Sequence, residues 1–163
     1  QEMSRGLGDV YKRQAEQLAQ IAISVSNQAR LMGHTPRVAL LSFSNFGNPS
    51  GPSTDHIAKA TKILDSMNVD FEYDGEMSAE VALNYDLQRQ RYPFCRLTGA
   101  ANILIMPGLH SANISFKLMQ QLGGGSVIGP MLIGSKHPFQ IVQMGAQVND
   151  IVNAAAMAVY ETL

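Results

Sequence analysis

Apolar residues recur along the chain at two spacings. Over residues 15–32, Leu18, Ile21, Ala22, Val25, Ala29 and Met32 fall mostly three or four apart, which predicts one apolar face of a helix. Gly33 and Pro36 then supply a stop. Arg37-Val38-Ala39-Leu40-Leu41 is a short continuous apolar run, the pattern of a strand covered on both faces. Residues 42–53, rich in Ser, Asn, Gly and Pro, read as a loop. A second helix is predicted over residues 54–67, with Ile57, Ala60, Thr61 and Leu64 inward. Residues 69–73 are a short strand candidate, and Asp74-Gly75-Glu76 reads as the turn out of it. Ser78 is placed to cap a helix through Val81, Ala82 and Leu83. Residues 84–97 are polar, contain Pro93 and stay ambiguous.

The second half repeats the alternation. Asn102-Ile103-Leu104-Ile105-Met106 is another buried-strand run, ended by Pro107-Gly108. A helix through Ile114, Leu118 and Leu122 closes at Gly123-Gly124-Gly125, which reads as a C-cap because it follows the helix. Residues 126–134 are expected to form a bent strand or two short ones, broken at Gly129-Pro130. Residues 139–142 are expected to form a last strand. Val148, Ile151, Val152, Ala155 and Val159 mark a closing helix. Helices alternating with short apolar strands predict βαβ units, so the expected class is α/β with a mainly parallel sheet between two helical layers.

Composition narrows the function classes. The 163 residues are 45% hydrophobic and 15% charged, with 12 basic against 13 acidic groups and a net charge of −1. That balance fits a globular domain and offers no basic surface for nucleic acid or an anionic membrane. No apolar run approaches the roughly 18 residues of a membrane span. The single cysteine, Cys95, cannot form an internal disulfide, and the four histidines show no metal-ligand spacing.

Residues 1–14 stand apart, with five charges and no apolar period. Asp9-Val10-Tyr11-Lys12-Arg13-Gln14 resembles the translation of a transposon-end adapter from sequencing libraries. Residues 1–14 are therefore expected to be a non-native scar or disordered leader, and residues 15–163 a truncated domain. Without residues 1–14, 9 basic and 11 acidic groups remain, a charge of −2.

In open parallel sheets ligands bind beyond the carboxyl ends of strands, and three loops qualify. The first, Ser42-Phe43-Ser44-Asn45-Phe46-Gly47, offers hydroxyls and backbone N–H groups ahead of a helix N-terminus. It reads equally as an anion site and as a plain Ser/Gly-rich turn. The second, around His110, brings Asn113 and Lys117 onto one helix face, where they could meet a phosphate or carboxylate. A capped helix with a solvated lysine is the simpler local reading. The third, Gln143-Met144-Gly145-Ala146-Gln147-Val148-Asn149-Asp150, enters the closing helix, and capping alone would account for Asn149 and Asp150.

Six motifs in order resemble the phosphate acetyl/butyryltransferases: the run from Pro36 to Gly47, Asp74-Gly75-Glu76, the run from Ala101 to Pro107, the helix start from Asn113-Ile114 to Lys117, Ile128-Gly129-Pro130, and Asn149-Asp150-Ile151-Val152. The resemblance spans essentially all of residues 15–163. It implies a three-layer, phosphotransacetylase-like (isocitrate dehydrogenase-like) fold. Two further segments, Tyr92-Pro93-Phe94-Cys95-Arg96-Leu97 and Leu109-His110-Ser111-Ala112, resemble the version of this domain fused to the C-terminus of bacterial NADP-dependent malic enzymes. That version is regulatory and oligomer-forming and senses acetyl-CoA. The oxidative decarboxylation of malate to pyruvate, with NADP and a divalent metal (Mg or Mn), belongs to the malic-enzyme half.

One departure from the family pattern bears on chemistry. Active phosphotransacetylases resemble this chain in the third loop but carry Ser-Arg-Gly there, with an Asp at the start of the last helix. Here the positions hold Gln143-Met144-Gly145, and the aspartate is kept as Asp150. Methionine cannot pair with a phosphate as arginine does, and losing one such electrostatic group typically costs a factor of about a hundred or more in rate.

The resemblance therefore implies a non-catalytic domain with a surviving cleft, with acetyl-CoA or a related CoA ester as ligand. It also implies a homo-oligomer, a cytoplasmic protein, and no nucleic-acid or membrane partner. Its implied binding residues are Ser42, Ser44, Asn45, Gly47, Asn113, Lys117, Asn149 and Asp150. An active acyltransferase and a purely structural oligomerisation module are the alternatives.

Overall fold

The computed structural model describes residues 7–123, 128–134, 137 and 139–160. The chain divides into two compact units, residues 1–112 and 113–163.

The first unit is built on a parallel sheet of three strands, β1 (Arg37–Leu41), β2 (Glu72–Met77) and β3 (Ile103–Ile105), in the order β2-β1-β3. Strand side chains alternate between faces, and the two faces carry separate cores. Val38 and Leu40 of β1 pack with Ile103 and Ile105 against α1 (Leu7–Leu31) and α2 (Pro52–Met67). Ala39 and Leu41 pack on the other face with Met77, Cys95, Leu97 and α3 (Ala79–Leu83). A short helix α4 (Tyr85–Arg91) follows α3. The sheet is thus covered on both sides, as a continuously apolar central strand requires.

Most predicted elements of this unit appear, with instructive shifts. On α2 all four expected inward residues, Ile57, Ala60, Thr61 and Leu64, are buried. Pro52 starts α2 and Asn68, at φ 47°, ends it in the left-handed region that asparagine tolerates. On α1 the contact face is lined by Ala15, Leu18, Ala19 and Ala22, while Ile21 is half exposed. The helix begins at Leu7, upstream of the expected start at residue 15. The strand expected at 69–73 lies instead at Glu72–Met77, and Asp74-Gly75-Glu76 is its centre instead of a turn. Pairing jumps from Leu40 opposite Gly75 to Leu41 opposite Met77, leaving Glu76 as a bulge. The ambiguous stretch contains α4, capped by the Asn84 side chain on the Leu87 N–H at 3.0 Å.

The second unit contains most of α5 (Leu109–Leu122) and all of α6 (Val148–Tyr160). The helix pattern holds, but neither helix buries a residue. The strand expected at 139–142 does not form, and residues 128–134 contain no strand. The side-chain amide of Gln140 replaces backbone pairing: its Oε1 accepts from the Leu132 N–H at 3.1 Å and its Nε2 donates to the Leu132 carbonyl at 3.5 Å. Gly124, Gly125, Ser126 and Val127, where a cap and a strand start were expected, lie outside the described residues.

Candidate functional site

The first loop leaves β1 at Leu41 and turns on itself through paired backbone bonds between Asn45 and Asn48, both at 3.1 Å. Its anion-holding groups are already occupied. The Glu76 carboxylate accepts the Gly47 N–H at 2.7 Å and the Ser44 hydroxyl at 3.3 Å. The Glu76 carbonyl takes the Phe46 N–H at 2.8 Å. Asn45 spends its Oδ1 on the Ser78 N–H at 2.7 Å, and the Ser42 Oγ accepts the Ser44 N–H at 3.2 Å. Ser44 is fully buried. Of the expected ligand contacts, Ser44 and Gly47 therefore meet at an internal carboxylate, while Asn45 and Ser42 accept from the backbone N–H groups of Ser78 and Ser44. Oriented N–H donors favour any anion, and the bulge of β2 delivers one from within the chain.

Asp74 does the same work two residues earlier. Its carboxylate accepts the Arg96 N–H at 2.8 Å and the Arg96 guanidinium at 3.3 Å. Arg96 also reaches Asp65 and stacks 4.6 Å from the Tyr73 ring centre. The Tyr73 hydroxyl, bonded to Asp65 at 2.6 Å, and the Arg96 guanidinium hold the Asp65 carboxyl below its ordinary range. Between Cys95 and its surroundings the balance runs the other way. Burial pushes its thiol up to about 11, which keeps it protonated near neutral pH.

In the second loop the Ser111 hydroxyl and the Ala112 N–H both bond the Gly108 carbonyl, at 2.8 and 3.0 Å. Lys117 lies on α5, exposed, 3.4 Å from Gln120 Oε1 and 5.3 Å from the Phe116 ring centre. Asn113 is exposed on the same helix. These contacts match the simpler reading of a closed helix start and a solvated lysine.

The third loop borders a cavity of about 210 Å³ within the second unit. Gln143, Met144, Gly145 and Asp150 all line it, with Gln140 and Asn153 as further polar groups and Met131, Ile141 and Met157 among the apolar ones. Asp150 Oδ2 reaches back to the Gln147 N–H at 2.9 Å, the arrangement of a capping box. Asn153, three residues on, shares its helix face. Among the described lining residues there is no Lys, Arg or His. The structure thus brings the altered Gln143-Met144 pair and the retained Asp150 to one cavity. Asn113, Lys117 and Asn149 are not among its lining residues.

Comparison with known proteins agrees with this geometry. The family pattern described as Phosphate acetyl/butaryl transferase matches residues 10–159. The chain belongs to that family. An NADP-dependent malic enzyme of Rhizobium meliloti (strain 1021) is 53% identical over 146 residues, covering 90% of this chain and 19% of that protein. A phosphate acetyltransferase of Paracoccus denitrificans is 36% identical over 156 residues, covering 95% of this chain and 49% of that protein. Among solved structures, a phosphotransacetylase from Streptococcus pyogenes superimposes with a TM-score of 0.85 at 32% identity, over 90% of this chain and 45% of that one. The EutD phosphotransacetylase from Staphylococcus aureus also scores 0.85, at 28% identity. The chain spans about a fifth of its malic-enzyme relative and under half of the solved phosphotransacetylases.

This chain's cavity carries no basic side chain among its described lining residues. A transacetylase must stabilise the charge on an acyl phosphate, and here only amides, apolar groups and one carboxylate are described around the space. Gln140, Asn153 and the roles of Asp74 and Glu76 were not found by sequence reasoning. For Asn153 a signal was present, since it lies three residues after Asp150 on one helix. Glu76 was visible as part of the Asp74-Gly75-Glu76 motif but its role was not, because a buried carboxylate in a strand has the same composition as an exposed turn.

Proposed function

We propose that the chain is part of a regulatory and oligomerisation domain of an NADP-dependent malic enzyme, and that the cavity beside Asp150 takes acetyl-CoA or a related CoA ester. The observation that carries this reading is the lining of the cavity: Gln143 and Met144 stand where the transacetylase pattern has Ser and Arg. Amide side chains suit the uncharged amide and thioester groups of a CoA ester. They do not neutralise an acyl phosphate. The similarity to the Rhizobium malic enzyme, the strongest in identity among the relatives given above, supports the same reading. The malate, NADP and divalent-metal sites would belong to the rest of such a protein. Among the described residues no three His, Cys, Asp or Glu side chains gather to hold a metal ion. No helix among them is long and apolar enough to cross a membrane.

The test uses the intact protein that carries this chain. Acetyl-CoA is titrated by calorimetry, and malate oxidation is followed at each concentration. Saturable binding, a changed malate-oxidation rate, no acyl transfer from acetyl phosphate to CoA, and weaker binding in Asp150→Ala are expected. Normal assembly without any CoA-ester binding would leave a purely structural module. A second reading, an active phosphate acyltransferase, draws on the retention of Asp150 in the cavity and on the Paracoccus relative. CoA-dependent release of phosphate from acetyl phosphate, lost in Asp150→Ala, would select it.

A further inference from the structure

The second unit has the side chains of a buried layer but not the burial. Its described residues hold only two of the chain's Lys, Arg, Asp and Glu side chains, Lys117 and Asp150. On α5, Ile114, Leu118 and Leu122 follow one another every fourth residue and are 54–80% exposed. On α6, Val148, Ile151 and Val152 are 51–74% exposed. These spacings draw an apolar stripe along each helix, the form that faces a core.

The strand-like segments lack a partner in the same way. Met131-Leu132-Ile133 and Phe139-Gln140-Ile141-Val142 are apolar enough for strands, and neither is one. Ile141 is 58% exposed. A strand needs neighbouring backbone to take its N–H and C=O groups. The suitable sequence is present here, and what is missing is an edge to pair with. At about 50 residues the unit is also shorter than lone domains, which are already marginal at about 60.

Two observations say what covers this surface. The scarcity of charge fits a permanent contact, since obligate interfaces resemble a domain core cut in half. The solved phosphotransacetylases that superimpose on this chain contain about as much chain again outside the match. A segment of the same polypeptide meets the unit at an effective concentration of order millimolar, which a second copy at ordinary protein concentrations does not reach.

We propose that the exposed apolar surface of the second unit is the seat of the remaining half of the same family domain, supplied by the same polypeptide. That half brings strand edges with which residues 131–133 and 139–142 pair, and an apolar layer for the stripes of α5 and α6. Ile128, Ile141, Val142 and Met144 belong both to this surface and to the lining of the Asp150 cavity, so the docked half also borders that cavity. The proposal rests on the chain being part of a longer family member, and is independent of what the cavity binds.

The test uses the intact protein that carries this chain. The photo-crosslinking residue p-benzoylphenylalanine is placed at Leu118 in one variant and at Ile141 in another, with folding judged by circular dichroism. Irradiation is expected to join each probe, within one polypeptide, to peptides outside these 163 residues, identified by mass spectrometry after digestion. A product of doubled mass as the main species overturns the proposal, because a second copy then covers the surface. Folded variants without any cross-link overturn it too, because the surface is then open. In the unmodified protein, the Ile141 and Val142 amides are expected to exchange hydrogen about a hundredfold or more slower than an unstructured peptide. Exchange at the unstructured rate rejects the strand pairing. Intrachain cross-links in a protein that binds no CoA ester would reject the proposed ligand and leave this surface intact. CoA-ester binding without those cross-links would do the reverse.

Discussion

Gly75 marks the closest approach of β2 to β1. A Cβ built there would lie 2.7 Å from the Leu40 carbonyl oxygen and 2.9 Å from its Cβ, and the residue sits at φ +153°. Both contacts are with buried parts of the central strand, which cannot give way. Gly75→Ala is expected to destabilise the fold by about 1–3 kcal/mol, the usual range for overpacking, read as a lowered urea midpoint. Cys95 gives a second prediction at this scale. Burial raises its thiol from its ordinary 9.0 to about 11. Its contribution to stability is therefore complete below pH 9.0 and disappears as pH rises through about 11. At pH 8 the native chain should resist iodoacetamide while the urea-unfolded chain is alkylated, and mass spectrometry distinguishes the two. Cys95 was legible from the sequence only as a thiol without a disulfide partner. Gly75 was visible only as a motif residue read as a turn, because its constraint is a neighbour 35 positions earlier.

At the scale of elements, β2 is a strand with a polar sequence, Glu72-Tyr73-Asp74-Gly75-Glu76-Met77. Periodicity misread it because its acidic residues point to partners supplied by other segments. Asp74 is paired with Arg96, Glu76 with Ser44 and Gly47, and Glu72 with Thr98 at 2.8 and 2.9 Å. The Tyr73, Arg96 and Asp65 cluster ties β2 to α2 and to the segment before β3. Asp65 is held below its ordinary carboxyl value of 3.8 by the Tyr73 hydroxyl first and Arg96 second. A lowered folded-state value means that the stabilisation is present above 3.8 and fades as pH falls through the folded-state value. The gap in urea midpoint between the unmodified chain and Asp65→Asn should thus be constant near neutral pH and close on acidification. Because both side chains are partly exposed, the gap should be modest and shrink in high salt. A gap that widens on acidification would contradict the assignment. The missing strand at 139–142 has the opposite lesson: an apolar run suffices for a strand only if a neighbouring backbone is in reach, and Gln140 supplies a side-chain amide instead.

Over the whole molecule, apolar surface is distributed unevenly. The first unit buries its strands on both faces. On α5, Leu109, Ile114, Leu118, Met119 and Leu122 are at least half exposed, as are Val148, Ile151, Val152 and Val159 on α6. Surfaces of this kind mark contacts with other polypeptide. The 163-residue chain is expected to associate in a concentration-dependent way, measured by light scattering, and Leu118→Lys with Val152→Lys should reduce it. A monodisperse monomer at high concentration would count against this. The α/β class, the helix faces of α2, the strands at β1 and β3 and the altered third loop follow from the sequence alone. They depend on local periodicity and on residue identity at a motif, which need no distant partner. Tertiary structure alone decided that Asp74-Gly75-Glu76 is a strand, that Glu76 fills the nest of the first loop, and that Gln143, Met144 and Asp150 share a cavity. These depend on how segments close in space, most of them on residues far apart in the chain, and a linear pattern carries no record of which of them will meet.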